Sequence, residues 1–273
     1  MTEKKQTLGF IGAGNMATAL IGGLVQNGYP PSAILVSDPH LEKCEALHES
    51  FGISIAKSNQ QLIDNADVIV LAIKPQMMTD CLKALNVSGT KLWISVATGI
   101  PFATYAQLLG EQQPVIRVMP NTPALVGQGA SAMVANAMVT AEQRTFSETL
   151  LQTVSTTVWC DEETDLNMVT GISGSGPAYF FYVMEALIEE AVAQGLPLKT
   201  AQQLVIQTAF GAASMAQADP DVSTLKKRVA AKGGTTAAAL DTFEKKGMAK
   251  ALKAGAQAAI ARAKVLANPG EAS

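Results

Sequence analysis

Cysteine, histidine, aromatic residues and charge are all scarce in this chain. Only Cys44, Cys81 and Cys160 are present, far apart and with no C-x-x-C spacing. Neither a disulfide framework nor a zinc cluster is expected, no metal site is indicated, and a reducing, cytoplasmic setting is implied. Charged residues make up 16% of the 273, the net charge is −3, and neither half has a strongly basic face. Nucleic acid is therefore not an expected partner. No uninterrupted apolar run reaches the roughly 18 to 20 residues needed to cross a bilayer, so a membrane is not expected either. The apolar stretch Leu8 to Val25 follows Lys4 and Lys5 as in a signal peptide, but glycines and Asn15 interrupt it.

What is abundant excludes disorder: 48% of the residues are apolar and 22 are glycine. The length allows one large domain or two medium ones. Up to about residue 165, short apolar runs alternate with helical patterns, the signature of a mostly parallel sheet wrapped by helices, a doubly wound α/β Rossmann fold. Strands are expected at Leu8–Ile11, Ile34–Ser37, Ile53–Ala56, Val68–Ile73, Leu92–Val96, Val115–Met119, Gly129–Ala135 and Thr156–Cys160. Helices are expected at Asn15–Gln26, Leu41–Ser50, Gln60–Ile63, Met77–Leu85, Phe102–Leu109 and Ala141–Val154. The strands are continuously apolar, as befits strands covered on both faces.

Beyond residue 165 the strand pattern stops. Val183, Leu187, Ala191 and Val192, then Leu204, Ile206, Ala209 and Met215, recur at helical spacing, with breaks at Gly195 and Pro197, Asp219 and Pro220, Gly233 and Gly234, and Gly247. The expected division is 1–165, a dinucleotide-binding domain, and 166–273, an all-α domain, with Asn268 to Ser273 frayed. Alanine-rich helices with few aromatics bury little area each, so a partner subunit is expected to share this core.

The strongest local motif is Gly9-Phe10-Ile11-Gly12-Ala13-Gly14-Asn15-Met16-Ala17, a G-x-G-x-x-A turn between the first strand and the first helix. Gly12 permits a tight turn, Gly14 lets the backbone approach a pyrophosphate, and Ala17 allows close helix packing. Free N–H groups and the positive dipole end of the helix then face the phosphates. Asp38, just past the second strand, suits the ribose hydroxyls of NAD. It equally suits a helix cap or a turn before Pro39. Ser37 and Asn59 could donate to a 2′-phosphate instead, with Lys43 the nearest cation in sequence, so NADPH and NADH both stay open. Ala72-Ile73-Lys74-Pro75 and Ser95-Val96-Ala97-Thr98-Gly99 leave two further strands at the carboxyl ends where ligands bind in such sheets. Lys74 reads either as a cleft residue or as a surface lysine stopped by Pro75.

Two segments remain that packing explains poorly. Gly171-Ile172-Ser173-Gly174-Ser175-Gly176-Pro177-Ala178 reads as a glycine and serine loop running into a helix, and Lys232-Gly233-Gly234-Thr235-Thr236 as a glycine turn feeding another. Each offers consecutive N–H groups and hydroxyls at a helix start, which can hold a small carboxylate, and each can also be ordinary capping. A ketone reductase needs a proton donor beside a developing alkoxide. The two histidines, His40 and His48, fall on the adenosine side, and Tyr179 and Tyr182 read equally as packing residues. The scarcity favours a protonated C=N bond, which is already electrophilic.

At this point the sequence resembles the Δ1-pyrroline-5-carboxylate reductases, which make proline by reducing a cyclic imine with NAD(P)H. The opening turn Gly9 to Met16, Ala72 to Pro75, Met119-Pro120-Asn121-Thr122-Pro123, Gly171 to Tyr179, and Leu225-Lys226 followed by Gly233 to Thr236 and Ala239-Leu240 carry the resemblance over nearly the whole chain. It implies cofactor contacts from Ile11, Gly12, Ala13, Gly14, Asn15, Met16, Asn59, Ala72, Ile73, Lys74, Pro75, Val96, Ala97 and Thr98, with Asp38 at the adenosine ribose. It implies a carboxylate seat at Gly233, Gly234, Thr235 and Thr236, Thr236 as proton donor, and a loop with Ser173 and Ser175 closing the site. It further implies a homodimer through interleaved C-terminal helices, often built into decamers. Ala230-Ala231-Lys232 replaces a serine and proline common in the family, and Asp38 a residue that is neutral in some members. The alternatives are a β-hydroxyacid dehydrogenase-like reductase and a non-catalytic NADP-binding protein.

Overall fold

Residues 5–267 are described by a computed structural model, and the stretch Asn268–Ser273 lies outside them. In chain order the first part runs β1 (Leu8–Ile11), α1 (Asn15–Gln26), β2 (Ile34–Ser37), α2 (Leu41–Phe51), β3 (Ser54–Ile55), α3 (Asn59–Asn65), β4 (Val68–Leu71), α4 (Pro75–Lys83), β5 (Leu92–Ser95), α5 (Phe102–Leu109), β6 (Val115–Met119), β7 (Gly129–Ala135), α6 (Ala141–Gln152) and β8 (Ser155–Trp159). The strands form one sheet in the order β3-β2-β1-β4-β5-β6-β7-β8. All neighbours are parallel except β6 and β7. The chain winds outward from β1 in one direction and from β4 in the other, so the switch point of the topology lies between these two strands.

Side-chain alternation along the strands builds a core on each face of the sheet. Leu8, Phe10, Ile34, Val36, Val70, Ile94, Ile116 and Met133 pack with Leu20, Leu24 and Leu151. Ile11, Ile69, Leu71, Trp93 and Val115 pack with Leu62, Met78, Leu82 and Tyr105. Gly9 lets α3 pack closely on β1, since a Cβ there would come 2.3 Å from Leu62 Cδ2.

Several expected boundaries shift. β3 shrinks to two residues, Ser54 and Ile55, because only these pair with Leu35 and Val36 of its single neighbour. β4 ends at Leu71, not Ile73. The next residue donates its N–H to Ile11 O, and the chain turns at Lys74, whose successor Pro75 opens α4 two residues earlier than expected. α3 starts one residue earlier than expected because Ser58 caps it, accepting from Gln61 N, and it runs two residues further, to Asn65.

After β8 come α7 (Asp165–Val169), a π-helical turn at Thr170–Gly174, α8 (Gly176–Ala193), α9 (Leu198–Ala218), α10 (Val222–Val229), α11 (Thr235–Lys245) and α12 (Met248–Ala267). By packing the chain forms two units: one holds the described residues up to Ser175 with those from Ala259 on, the other is Gly176–Ala258. Within Gly176–Ala258 the only buried hydrophobic side chain is Ala201, while Phe180, Phe181, Tyr182 and Phe210 are each more than 60% exposed. Among the described residues no helix is long and apolar enough to cross a membrane.

Candidate active site

The turn between β1 and α1 is fixed by its neighbours in the sheet. Gly12 has φ +104, and a Cβ on it would stand 2.6 Å from Ala72 O, so both the conformation and the space require glycine. Its N–H donates to Ser37 O at 2.8 Å. The Ala13 N–H donates to Asp38 Oδ2, and Asp38 Oδ1 accepts from His40 N, both at 2.9 Å. Asp38 thus takes the turn role that its position before Pro39 allowed, and its carboxylate stands at the end of β2.

Gly14 differs from Gly12. Its φ is −84, and no atom lies within 4 Å of where its Cβ would be. Nothing in the fold requires glycine here, so the empty volume is what a ligand approaching the backbone would use. Gly14 is the N-cap of α1 and provides no side-chain cap, so the unsatisfied N–H groups of the first turn and the positive end of the helix dipole are presented beside it. Asn15 is exposed and Met16 half-buried. This arrangement fits a dinucleotide pyrophosphate.

The remaining expected cofactor residues sit at carboxyl ends of neighbouring strands. Ala72 and Ile73 follow β4, half-buried, and Lys74 is exposed at the N-cap of α4. Asn59 opens α3, its Nδ2 donating to Cys81 Sγ at 3.3 Å. Burial raises the Cys81 thiol pKa. Val96, Ala97 and Thr98 follow β5, where the Ala97 N–H donates to Ser95 Oγ, itself bonded to Tyr105 OH at 2.6 Å. Burial pushes Tyr105 up to about 12.

The serine segment is not the open loop expected. It is the π turn, closed by the Ser175 N–H on Thr170 O at 2.8 Å. Small residues let the chain wind wide here: the space beside Gly174 is taken by the Met119 Cε, 2.3 Å from where a Cβ would be. Ser173 and Ser175 are half-buried.

The Gly233 turn has the expected form. Gly233 has φ +77, and Gly234 is the N-cap of α11 without a side-chain cap. The helix therefore starts with free N–H groups at Thr235, which is exposed, and Thr236, which is half-buried. The histidines are occupied elsewhere: His48 Nδ1 is 2.6 Å from Ile53 O, and His40 lies 3.5 Å from Glu42.

Sequence reasoning gave no role to Met119 and Asn121, although both lie in a quoted motif. Thr98 Oγ1 donates to Met119 Sδ at 3.4 Å, and Asn121 reaches Ser173. The signal available was their spacing of two along β6 and its continuation, which puts them on one side of the strand.

A doubly wound sheet with an uncapped glycine turn next to its switch point defines the class of dinucleotide-binding oxidoreductases. Residues 7–99 match the model of NADP oxidoreductases, coenzyme F420-dependent, and residues 163–266 that of pyrroline-5-carboxylate reductase dimerisation. The chain is 42% identical over 263 residues to the pyrroline-5-carboxylate reductase of Pseudomonas aeruginosa, covering 95% of this chain and 96% of that one. It is 42% identical over 267 residues to that of Vibrio alginolyticus, covering 96% and 97%. The solved structure of a pyrroline-5-carboxylate reductase from Coxiella burnetii superposes with a TM-score of 0.88 at 36% identity, covering 97% of this chain and all of that one. The Plasmodium falciparum pyrroline carboxylate reductase, solved with NADP bound, gives 0.85 at 27%, covering 97% and 99%. This chain belongs to the pyrroline-5-carboxylate reductase family.

Proposed function

We propose that this protein reduces the cyclic imine Δ1-pyrroline-5-carboxylate to L-proline with NAD(P)H. The observation that carries the reading is Gly14: a glycine the fold does not need, at an uncapped helix start, in a chain of this family. A bound reduced nicotinamide supplies the hydride for the imine carbon.

The chain's own residues bind, orient and protonate. Gly12, Ala13, Gly14, Asn15 and Met16 shape the pyrophosphate seat, with Ile11 beneath it. Ser37, Asp38 and Asn59 are assigned to the adenosine end, and Ala72 to Pro75 and Val96 to Thr98 to the rest of the cofactor. The N–H groups and hydroxyls of Gly233, Gly234, Thr235 and Thr236 are assigned the substrate carboxylate, a mode of binding that needs no cation. The Thr236 hydroxyl is assigned the proton that reaches the ring nitrogen. Ser173 and Ser175 are assigned to the substrate. Because a protonated C=N accepts hydride without passing through an alkoxide, orientation in a dry site contributes more than a strong acid would.

The functional division is placed at residues 1–165 for the cofactor and 166–273 for substrate and self-association. The exposed Phe180, Phe181 and Phe210, and a groove of about 430 Å³ lined by Tyr182, Leu187, Phe243 and Leu252 among others, support a homodimer formed through these helices. A decamer assembled from such dimers and a cytoplasmic location complete the reading.

The test is spectrophotometric: oxidation of NADH and NADPH is followed with pyrroline-5-carboxylate and, separately, with β-ketoacids. Turnover of the imine alone is expected. Preference for a ketoacid, or tight nucleotide binding with no turnover of either substrate, would overturn the reading.

A further inference from the structure

Three residues spaced two apart at the end of β6 hold one segment of the chain. Arg117 pairs with Glu163 at 2.6 Å, Met119 fills the space beside Gly174, and Asn121 Nδ2 lies 3.3 Å from Ser173 O and 3.4 Å from Ser173 Oγ. Alternate residues of an extended chain share a side, and Asn121, with φ −136 and ψ 167, continues the strand's row. The segment they hold, Glu163 to Gly174, contains the π turn. Such turns are rare, arise mostly as single turns inserted in α-helices, and are frequent at functional sites.

The Asn121 amide can face only one way. The Ala130 N–H points at it from 2.8 Å and needs an acceptor, so that atom is Oδ1 and the Nδ2 group faces Ser173. A serine hydroxyl that accepts a hydrogen bond keeps its own hydrogen for another acceptor. Thr98, which follows β5 among the residues assigned to the cofactor, donates to Met119 in the same row.

We propose that Asn121 is a positioning residue for imine reduction. It fixes Ser173 in the π turn by donating to both its carbonyl and its hydroxyl oxygen, and so leaves the Ser173 hydrogen directed at the anionic substrate. This rests on the functional reading above and adds to it a residue that orients the substrate without holding the cofactor.

Asn121→Asp is the discriminating variant, because it keeps an oxygen for the Ala130 N–H and replaces the donor facing Ser173 with a charged oxygen that can only accept. Expected are a fall of about tenfold or more in kcat/KM for pyrroline-5-carboxylate, carried mainly by KM, and a Kd for NADH within about twofold of the unaltered enzyme. In a Ser173→Ala background the same substitution is expected to cost less than about threefold, since the two residues act as a unit. Additive losses, or an NADH affinity that falls as far as kcat/KM, would overturn the proposal.

Should Asn121→Asp not fold, Gly174→Val displaces the same turn without touching Asn121, being too large for a shift of the Met119 methyl to accommodate. The same split between imine and cofactor is expected of it, and full activity would also overturn the proposal. If the unaltered chain does not reduce the imine, the functional reading fails and this inference with it. If it does, and Asn121→Asp matches it, the inference alone fails.

Discussion

Ala13 and Asp38, 25 residues apart in sequence, are joined by a hydrogen bond of 2.9 Å from the Ala13 N–H to Asp38 Oδ2. The bond fastens the glycine turn to the end of β2, and a second one, from the His40 N–H, holds the other carboxylate oxygen. Each oxygen keeps a lone pair for a ribose hydroxyl. Among the described residues the ion pairs do not include Asp38, so a 2′-phosphate would meet an uncompensated negative charge. Asp38→Asn is therefore expected to raise the ratio of kcat/KM for NADPH to that for NADH by about tenfold, or ~1.4 kcal/mol. Initial rates with both cofactors check this, and an unchanged ratio would remove Asp38 from cofactor selection.

The two glycines of the turn should separate folding from binding. Gly14→Ala meets no atom and needs no unusual φ, so its melting temperature is expected to stay within about 2 °C while NAD(P)H affinity falls tenfold or more. Gly12→Ala combines φ +104 with a contact of 2.6 Å to Ala72 O and is expected to lose more than about 2 kcal/mol of stability. Thermal melts beside fluorescence titrations with NADPH would show the contrast, and equal behaviour of the two variants would contradict it.

Thr236→Ala is expected to slow turnover of the imine at least tenfold, with NADPH affinity nearly intact, and Thr236→Ser to restore most of the rate. Rates at saturating cofactor, paired with a direct Kd, test the assignment. A large loss of NADPH binding in the alanine variant would contradict a proton-donating role.

Burial raises the pKa of Tyr105 and of Tyr29 to about 12, from an ordinary value of 10. The unfolded chain therefore loses these protons first as the pH rises. Their contribution to stability is full below pH about 10 and is lost between about 10 and about 12. Tyr105→Phe should flatten part of this alkaline decline and, by leaving the buried Ser95 hydroxyl without its 2.6 Å partner, cost about 1–3 kcal/mol at neutral pH. Urea denaturation across that pH range measures both effects.

Phe181→Glu and Phe210→Glu each place a charge where the single chain exposes more than 60% of an aromatic side chain. Both are expected to lower the mass found by light scattering to that of one chain, without disturbing the sheet. An unchanged mass would move the self-association surface elsewhere.

The sheet was legible because each strand is a closed apolar run and each helix start carries its own turn chemistry. Leu8–Ile11, Asn15–Gln26, Val115–Met119 and Phe102–Leu109 form as expected to the residue. Edges were less legible: whether Ile53 and Ala56 join β3 depends on what β2 offers as a partner. The antiparallel pairing of β7 with β6 is likewise set by the neighbouring strand.

The sequence by itself determined the order of elements, the glycine turn and the family, since periodicity, capping and short motifs are written in neighbouring residues. Only the tertiary structure decided that Gly14 faces open space while Gly12 is wedged against Ala72, that Asp38 ties the turn, and that the serine segment winds as a π turn against Met119 and Asn121. Those contacts join residues 25 to 60 positions apart. No local pattern encodes them, because they arise only when separate strands, and a helical turn beyond the sheet, are brought to the same place by the fold.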